Sequence, residues 1–298
     1  MVKRRTLLAG SIGLAGLVGA GIGATALAAN GVIPGKSVVD RKLGFCAADV
    51  TPVHATAGPI VAGSFASTFR RRTVNFKIAY PPNFGAGSHL PICLMLHGYG
   101  GDETGALTAG RYPEYLAAAV ASGTPPFALA SVAGGNGYWH PHPDDDPLGM
   151  LIQEFLPLLA KRGLATDHPA VSGISMGGYG ALLSGLTAPS RFSAIIANSP
   201  GFWRTYGESK KVNPGAFSSA AEWSQYGDIL AHAADFKGLP IQIYIGESDS
   251  FEPVVSSLRD RLPDPRVVHT SKGCHDGTFW QAQAPTDLKI IGAALHRN

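Results

Sequence analysis

The sequence predicts an α/β fold, a mostly parallel central sheet with helices on both faces. Three observations predict it. Short runs of strand length recur along the chain, and several are apolar throughout, as strands buried on both faces are. Segments of helical length separate them. Gly- and Pro-rich breaks close most of the runs.

Before that pattern starts, the 298 residues open on a different kind of segment. Lys3, Arg4 and Arg5 precede an uncharged stretch, Thr6 to Asn30, built of Ala, Gly, Leu, Ile and Val. Within it Ala26-Leu27-Ala28 is a small-x-small cleavage pattern. A basic start, an apolar middle and a small-residue exit describe an export signal over residues 1–28. The paired arginines point to the twin-arginine route, so an export translocase is an expected partner. The stretch is also long enough to span a bilayer as an uncleaved anchor. The expected location is secreted or in the cell envelope. Residues 29–58 are rich in Pro, Gly and Ala with weak periodicity, and read as a linker or loosely packed arm. Residues 59–298 read as one catalytic domain, long enough to bury a sizeable core.

Within that domain, Thr73 to Tyr80 alternates and stops at Pro81-Pro82, a strand ended by residues that cannot donate to a ladder. Ile92 to Leu96 is wholly apolar and ends in His97-Gly98, a buried strand. Phe127 to Ala133 is a strand ended by Gly134-Gly135. Leu148 to Leu159 has helical length and spacing. Pro169 to Gly173 reads as a short strand, and Met176 to Leu186 as a helix of small residues. Further strands are predicted over Phe192 to Ala197, Ile241 to Ile245 and Arg266 to Thr270. The residues around Arg259 and those from Leu288 to Leu295 read as helical.

Charge narrows the function. The formal net charge is +3, and the three basic residues of the leader account for all of it. Residues 29–298 are formally neutral, so nucleic-acid binding has no support. Cysteines number three, Cys46, Cys93 and Cys274, which is no disulfide framework. One bridge after export is compatible with the set, and the sequence does not choose the pair. Cys93 reads as a small buried hydrophobe.

The sharpest motif is Gly173-Ile174-Ser175-Met176-Gly177, of the form G-x-S-x-G. In a chain with 38 glycines the pattern alone says little. Its context says more. An apolar stretch precedes it and a Gly- and Leu-rich helix follows, the strand–turn–helix of a nucleophile elbow. A serine nucleophile needs a base, and the base needs an orienting acid. His275 follows the last predicted strand, and Asp249 follows the one before it. Glu247 and Asp276 are rival carboxylates; Asp249 lies further into its loop than Glu247. An oxyanion hole is expected from the backbone N–H of Met176 and that of Tyr99, in the loop His97-Gly98-Tyr99-Gly100-Gly101. His97 is expected to position that loop.

Two softer features complete the set. The loop Gly137 to Asp146 holds Trp139, His140, His142 and three aspartates. It raises a Zn²⁺ or Ca²⁺ site, against which its prolines and irregular spacing argue. It is therefore expected to line substrate or face solvent, and neither metal nor cofactor is expected. Phe202-Trp203 and the stretch from Arg204 to Asp235 read as an insertion over the site, its aromatic residues either lining an acyl or aryl pocket or simply packing.

With these residues in hand, the chain resembles the esterase D / antigen 85 family of α/β hydrolases, from about Ile60 to the C-terminus. Four blocks carry the resemblance: Leu94 to Gly101, Gly173 to Leu182, Gly246 to Phe251 and Gly273 to Trp280. It implies Ser175 as nucleophile, Asp249 as acid, His275 as base, the Tyr99 and Met176 amides as oxyanion hole, and no cofactor. The implied activity is hydrolysis of a small-molecule or lipid ester. Antigen 85 mycolyltransferases carry aspartate where this chain has His97, as hydrolytic branches do. Export argues against S-formylglutathione hydrolase, whose thiol substrate is intracellular. The Ala- and Gly-rich usage points to an actinobacterial source. Two alternatives stand beside the esterase: an acyltransferase of the mycolyltransferase type acting on envelope sugars, and a non-catalytic envelope-binding module on a hydrolase scaffold.

Overall fold

The computed structural model describes residues 42–297. The export signal predicted over 1–28 lies outside the described residues. Among the described residues eight strands form one sheet in the order β1-β2-β4-β3-β5-β6-β7-β8. β1 (Ile60–Ser67) and β2 (Arg72–Ala79) form an antiparallel hairpin, and β2 pairs antiparallel with β4 (Ala128–Val132). From β4 onward every pairing is parallel: β3 (Pro91–Leu96), β5 (Ala165–Ile174), β6 (Ala194–Asn198), β7 (Ile241–Gly246) and β8 (Val268–Ser271). This is the sheet of an α/β hydrolase. The expected fold class is the observed one.

The apolar runs explain the centre of the sheet. In β3 alternate residues face opposite layers. Leu94 and Leu96 join one buried cluster with Phe155, Leu159 and Leu182, while Cys93 and Met95 join the other with Tyr112, Phe279 and Leu288. A strand that must be apolar on both faces shows no alternation, which is why the run reads as continuous. On the first face lie α4 (Met176–Thr187) and a continuous helical stretch. That stretch joins a short turn (Pro147–Gly149), a π-helical segment (Met150–Phe155) and α3 (Leu156–Lys161). On the second face lie α1 (Glu103–Thr108), α2 (Tyr112–Ala121) and α7 (Gly277–Leu295). Of the others, α6 (Glu252–Arg259) packs Val254, Val255 and Leu258 into the first-face cluster, and α5 (Tyr206–Val212) lies in the segment after β6. Among the described residues no helix is long and apolar enough to cross a membrane.

The latter part of the 29–58 segment is held against the body rather than loose. Cys46 is disulfide-bonded to Cys274. Val53 is buried against the second-face cluster, and the Tyr115 hydroxyl donates to the Thr51 carbonyl. These anchors are single residues in an irregular stretch, so no periodicity announces them. α7 begins eleven residues before the predicted Leu288. Asp276 caps it by accepting from the Thr278 and Phe279 amides, and Pro285 is carried inside the helix. An internal proline deletes a helix bond, and so it hides the segment from a periodicity reading.

Candidate active site

The site is built where β5 ends. Ser175 is the N-cap of α4, at φ 55° and ψ −118°. That backbone region is costly for a residue with a Cβ and persists only where its surroundings enforce it. The surroundings are visible. The Ser175 amide donates to the Asn198 carbonyl at 2.9 Å, and the Ser175 carbonyl accepts from the Tyr179 and Gly201 amides, each at 3.0 Å. The flanking glycines are obligatory for space. A Cβ on Gly173 would lie 2.1 Å from the Gly177 carbonyl oxygen, and one on Gly177 would lie 2.1 Å from that of Leu96. The motif therefore folds as the elbow its spacing predicts.

The elbow holds Ser175 Oγ 2.8 Å from His275 Nε2. His275 Nδ1 lies 2.9 and 3.1 Å from the two carboxylate oxygens of Asp249. A carboxylate only accepts, so Nδ1 carries the ring proton and Nε2 faces the serine hydroxyl as acceptor. Asp249 is buried and its Oδ1 also accepts the Phe251 amide at 2.8 Å. Both rival carboxylates are elsewhere. Glu247 is exposed, and Asp276 is spent on capping α7. The ring of His275 is packed by Phe251 and Trp280, at centroid distances of 5.2 and 5.6 Å. Its loop is tied at the preceding residue by the Cys46–Cys274 bridge.

The glycine loop after β3 lies against this elbow. A Cβ on Gly98 would stand 3.4 Å from the Ser175 Cβ. Tyr99 itself points outward, 60% exposed, so its backbone and not its ring is what the loop offers to the site. Met176 opens α4, whose first N–H groups lack helical acceptors, and the Ser175 side chain makes no capping bond to them. His97 is fully buried. Its Nδ1–H donates to the Gly98 carbonyl at 2.8 Å and its Nε2 accepts from the Gly134 amide at 2.9 Å. Burial holds its pKa below the ordinary histidine value. A neutral ring with both nitrogens committed to backbone positions the loop and moves no proton.

Other placements differ from expectation or extend it. Trp139 is buried rather than turned to an open substrate face. It is 1% exposed, lies against Gly134 and Gly180, and donates its indole N–H to the His97 carbonyl at 3.2 Å. A large ring filling the space beside two glycines is a post for the loop, not a substrate contact. Phe202 and Trp203 do line a cavity of about 480 Å³, together with Phe251 and Val254. A separate cleft of about 590 Å³ lies between the 51–54 segment and α2 and α7, away from Ser175. The aspartates of the 137–146 loop are structural. Asp145 takes the buried Arg70 side chain at 2.6 and 2.7 Å, Asp144 pairs with Arg71, and Asp146 caps the helical turn at Pro147.

Four supporting residues have no signal in the sequence. Asn136 accepts the Gly100 amide at 2.7 Å and so fixes the glycine loop. Beneath the elbow, Asp287 on α7 accepts from the Tyr112 hydroxyl at 2.9 Å and from the Asn198 side chain at 2.7 Å. Asn198 is the residue whose carbonyl holds the Ser175 amide. Burial pushes the Asp287 carboxyl up to about 7, against the lowering effect of those two donors. Nothing in the sequence pairs residues 112, 198 and 287.

A strained serine at a strand–helix elbow, a histidine on its hydroxyl and a buried carboxylate behind the ring define an α/β hydrolase of the serine hydrolase class. The family model for esterases matches residues 67–259. The chain belongs to that Esterase family and acts on ester bonds, with a small-molecule ester as substrate. His275 lies beyond the matched span. Among solved structures, a ferulic acid esterase superposes with TM-score 0.68 at 18% identity, covering 80% of this chain and 100% of its own. An S-formylglutathione hydrolase from Agrobacterium tumefaciens gives TM-score 0.62 at 16% identity, covering 83% and 100%. A fluorophosphonate-binding serine hydrolase from Staphylococcus aureus gives 0.62 at 17% identity, covering 80% and 99%. At such identities these likenesses speak for the fold alone. Among curated proteins no sequence match is found.

Proposed function

We propose that the protein is an exported serine carboxylesterase that works through an acyl-enzyme on Ser175. The observation that carries this is the aligned set Ser175 Oγ, His275 Nε2 and Asp249, joined at 2.8 and 2.9 Å. Ser175 Oγ attacks the ester carbonyl while His275 Nε2 takes its proton. Asp249 holds the imidazolium that forms. The Met176 and Tyr99 amides receive the oxyanion. The intermediate collapses, the ester C–O bond breaks, and His275 returns the proton to the departing alcohol. Water then repeats the sequence on the acyl-enzyme, releasing the acid and restoring Ser175. The apolar cavity lined by Phe202, Trp203 and Phe251 receives the acyl or aryl group.

Export and an envelope or extracellular location belong to the same proposal. The basic and apolar leader supports them, and so does a disulfide, since such bonds persist in oxidising compartments. The division into leader (1–28), arm (29–58) and catalytic domain (59–298), the export translocase as partner, the antigen 85 branch and an actinobacterial source rest on the sequence motifs. Hydrolysis of p-nitrophenyl esters of increasing acyl length tests the reading. Wild type is expected to turn over short esters, and a folded Ser175→Ala variant to lose at least about 10³-fold in kcat/KM. Full activity in Ser175→Ala overturns the mechanism. Product analysis with trehalose present separates water from a sugar as acceptor.

A further inference from the structure

The loop after β4 meets the segment between β6 and β7 at a side-chain cluster that the proposed reaction does not use. His140, His142 and Glu222 bring one donor atom each within 4.8 Å of one another. Glu222 Oε1 lies 3.4 Å from His140 Nδ1 and 2.9 Å from His142 Nδ1. The His140 side chain is fully buried, whereas those of His142 and Glu222 keep 15% and 12% exposure, so the cluster opens to solvent on one side only.

Proton accounting leaves this cluster incomplete. The Nε2 of His140 lies 2.7 Å from the Ala216 carbonyl, and the Nε2 of His142 lies 2.7 Å from the Gly137 carbonyl. A carbonyl only accepts, so each Nε2 carries a hydrogen and each neutral ring turns a bare Nδ1 into the cluster. Those lone pairs face oxygens, Pro141 O at 3.0 Å from His140 Nδ1 and Glu222 Oε1 from both. Glu222 Oε1 is itself buried with no hydrogen-bond partner among the described residues, although its other oxygen accepts the Ser218 amide at 2.7 Å. The 2.9 Å contact from His142 is close without being aligned as a hydrogen bond. A shared cation satisfies all three donors. The alternative is two imidazolium rings stacked 4.1 Å apart on one carboxylate.

We propose that His140, His142 and Glu222 form a zinc site. Tetrahedral Zn²⁺ with bonds of about 2.0–2.1 Å places its ligand atoms about 3.3 Å apart; the two nitrogen–oxygen separations, 3.4 and 2.9 Å, lie either side of that value, and the two ring nitrogens lie within 4.8 Å of each other, so the rings draw together on binding. Two imidazoles and one carboxylate suit zinc, whereas Ca²⁺ and Mg²⁺ prefer oxygen throughout. Each histidine already donates its far N–H to a backbone carbonyl, the outer-shell bond that fixes the ring of a metal ligand. Water completes the fourth position from the open side.

The role is bracing. Glu222 immediately precedes the π-helical segment Trp223–Gly227, so the ion fastens the insertion to the loop after β4. That loop carries Trp139, whose indole holds the His97 carbonyl, and Asn136, which holds Gly100. The ion thus stiffens the loop that presents Tyr99, without touching Ser175.

The test uses tag-free protein stripped with a chelator and titrated with ZnCl₂ by calorimetry, then with CoCl₂ by absorption spectroscopy. One equivalent of Zn²⁺ is expected, with a rise in melting temperature and a tetrahedral Co²⁺ spectrum. His142→Ala and Glu222→Gln, both at partly exposed positions, are expected to weaken binding at least about 100-fold while keeping the far-UV spectrum. Wild-type uptake no greater than that of the His142→Ala/Glu222→Gln double variant overturns the proposal. So do nitrogen chemical shifts showing both rings doubly protonated at neutral pH with Zn²⁺ present. Neither readout depends on esterase activity.

Discussion

Breaking the Cys46–Cys274 bridge affects two things at once, the unfolded chain and the loop that carries His275. The bridged residues are 228 apart in sequence. Chain-entropy accounting for a loop of that length gives about 18 cal/mol/K, or about 5 kcal/mol at 25 °C. That is a large share of a typical stability of about 5–15 kcal/mol. For a domain of this size the melting temperature is expected to fall by about 10–20 °C. The bridge also fastens the residue next to His275, in a loop already pressed onto the sheet. A Cβ on Gly246, at the end of β7, would stand 2.4 Å from the Gly273 carbonyl oxygen. A loosened loop misplaces Nε2 relative to Ser175, and kcat is expected to fall on the order of tenfold at temperatures where the variant is folded. The assay is thermal and urea unfolding of a Cys46→Ser/Cys274→Ser protein, with steady-state kinetics beside it. The pairwise substitution leaves no stray thiol at either position. A variant that melts within about 2 °C of wild type and keeps its kcat shows that the bridge supplies neither the stability nor the positioning.

Three further outcomes are expected. Asp249→Asn retains the fold but replaces an acceptor-only carboxylate with a neutral amide that no longer fixes the tautomer of His275 or stabilises its imidazolium, and kcat should fall by about 10⁴-fold in ester hydrolysis. Gly177→Ala forces a methyl onto the Leu96 carbonyl at 2.1 Å and should cost at least about 2 kcal/mol in urea unfolding. Asp287 gives a pH signature. Its folded pKa is about 7, above the unfolded value of about 3.9, so the folded chain holds a proton that the unfolded chain releases between those values. Its contribution is fully present below about pH 4 and is lost as pH rises through 7, by at most about 4 kcal/mol. Asp287→Asn should flatten that part of the stability profile, and parallel profiles for the two proteins would contradict the assignment.

The sequence carries the central strands and the elbow because their constraints are local. β3 must be apolar on both faces, and the elbow needs glycine two residues either side of Ser175. The partners of Ser175 are legible through order along the chain, since Asp249 and His275 each follow a strand. The edge strand β1 is not legible as a strand. It buries only its last residue, Ser67, and its IVAGSFAS sequence has little to alternate. What supports the site also escapes, because it is made by contacts across great sequence distance. The Cys46–Cys274 bridge, the Tyr112–Asn198–Asp287 network and the meeting of His140 and His142 with Glu222 have no spacing to betray them. Trp139 shows the converse. A tryptophan in a loop at the carboxyl edge of a sheet reads as a substrate contact until the space beside Gly134 and Gly180 is seen to be its socket.

The central claim is that Ser175 is a nucleophile activated by His275. Mapping a fluorophosphonate adduct by mass spectrometry on the folded protein tests it most directly. A single adduct on Ser175 Oγ is expected, absent in Ser175→Ala and formed at least about 10²-fold more slowly in His275→Ala. A folded wild-type protein that stays unlabelled, or that carries the adduct on another residue, contradicts it.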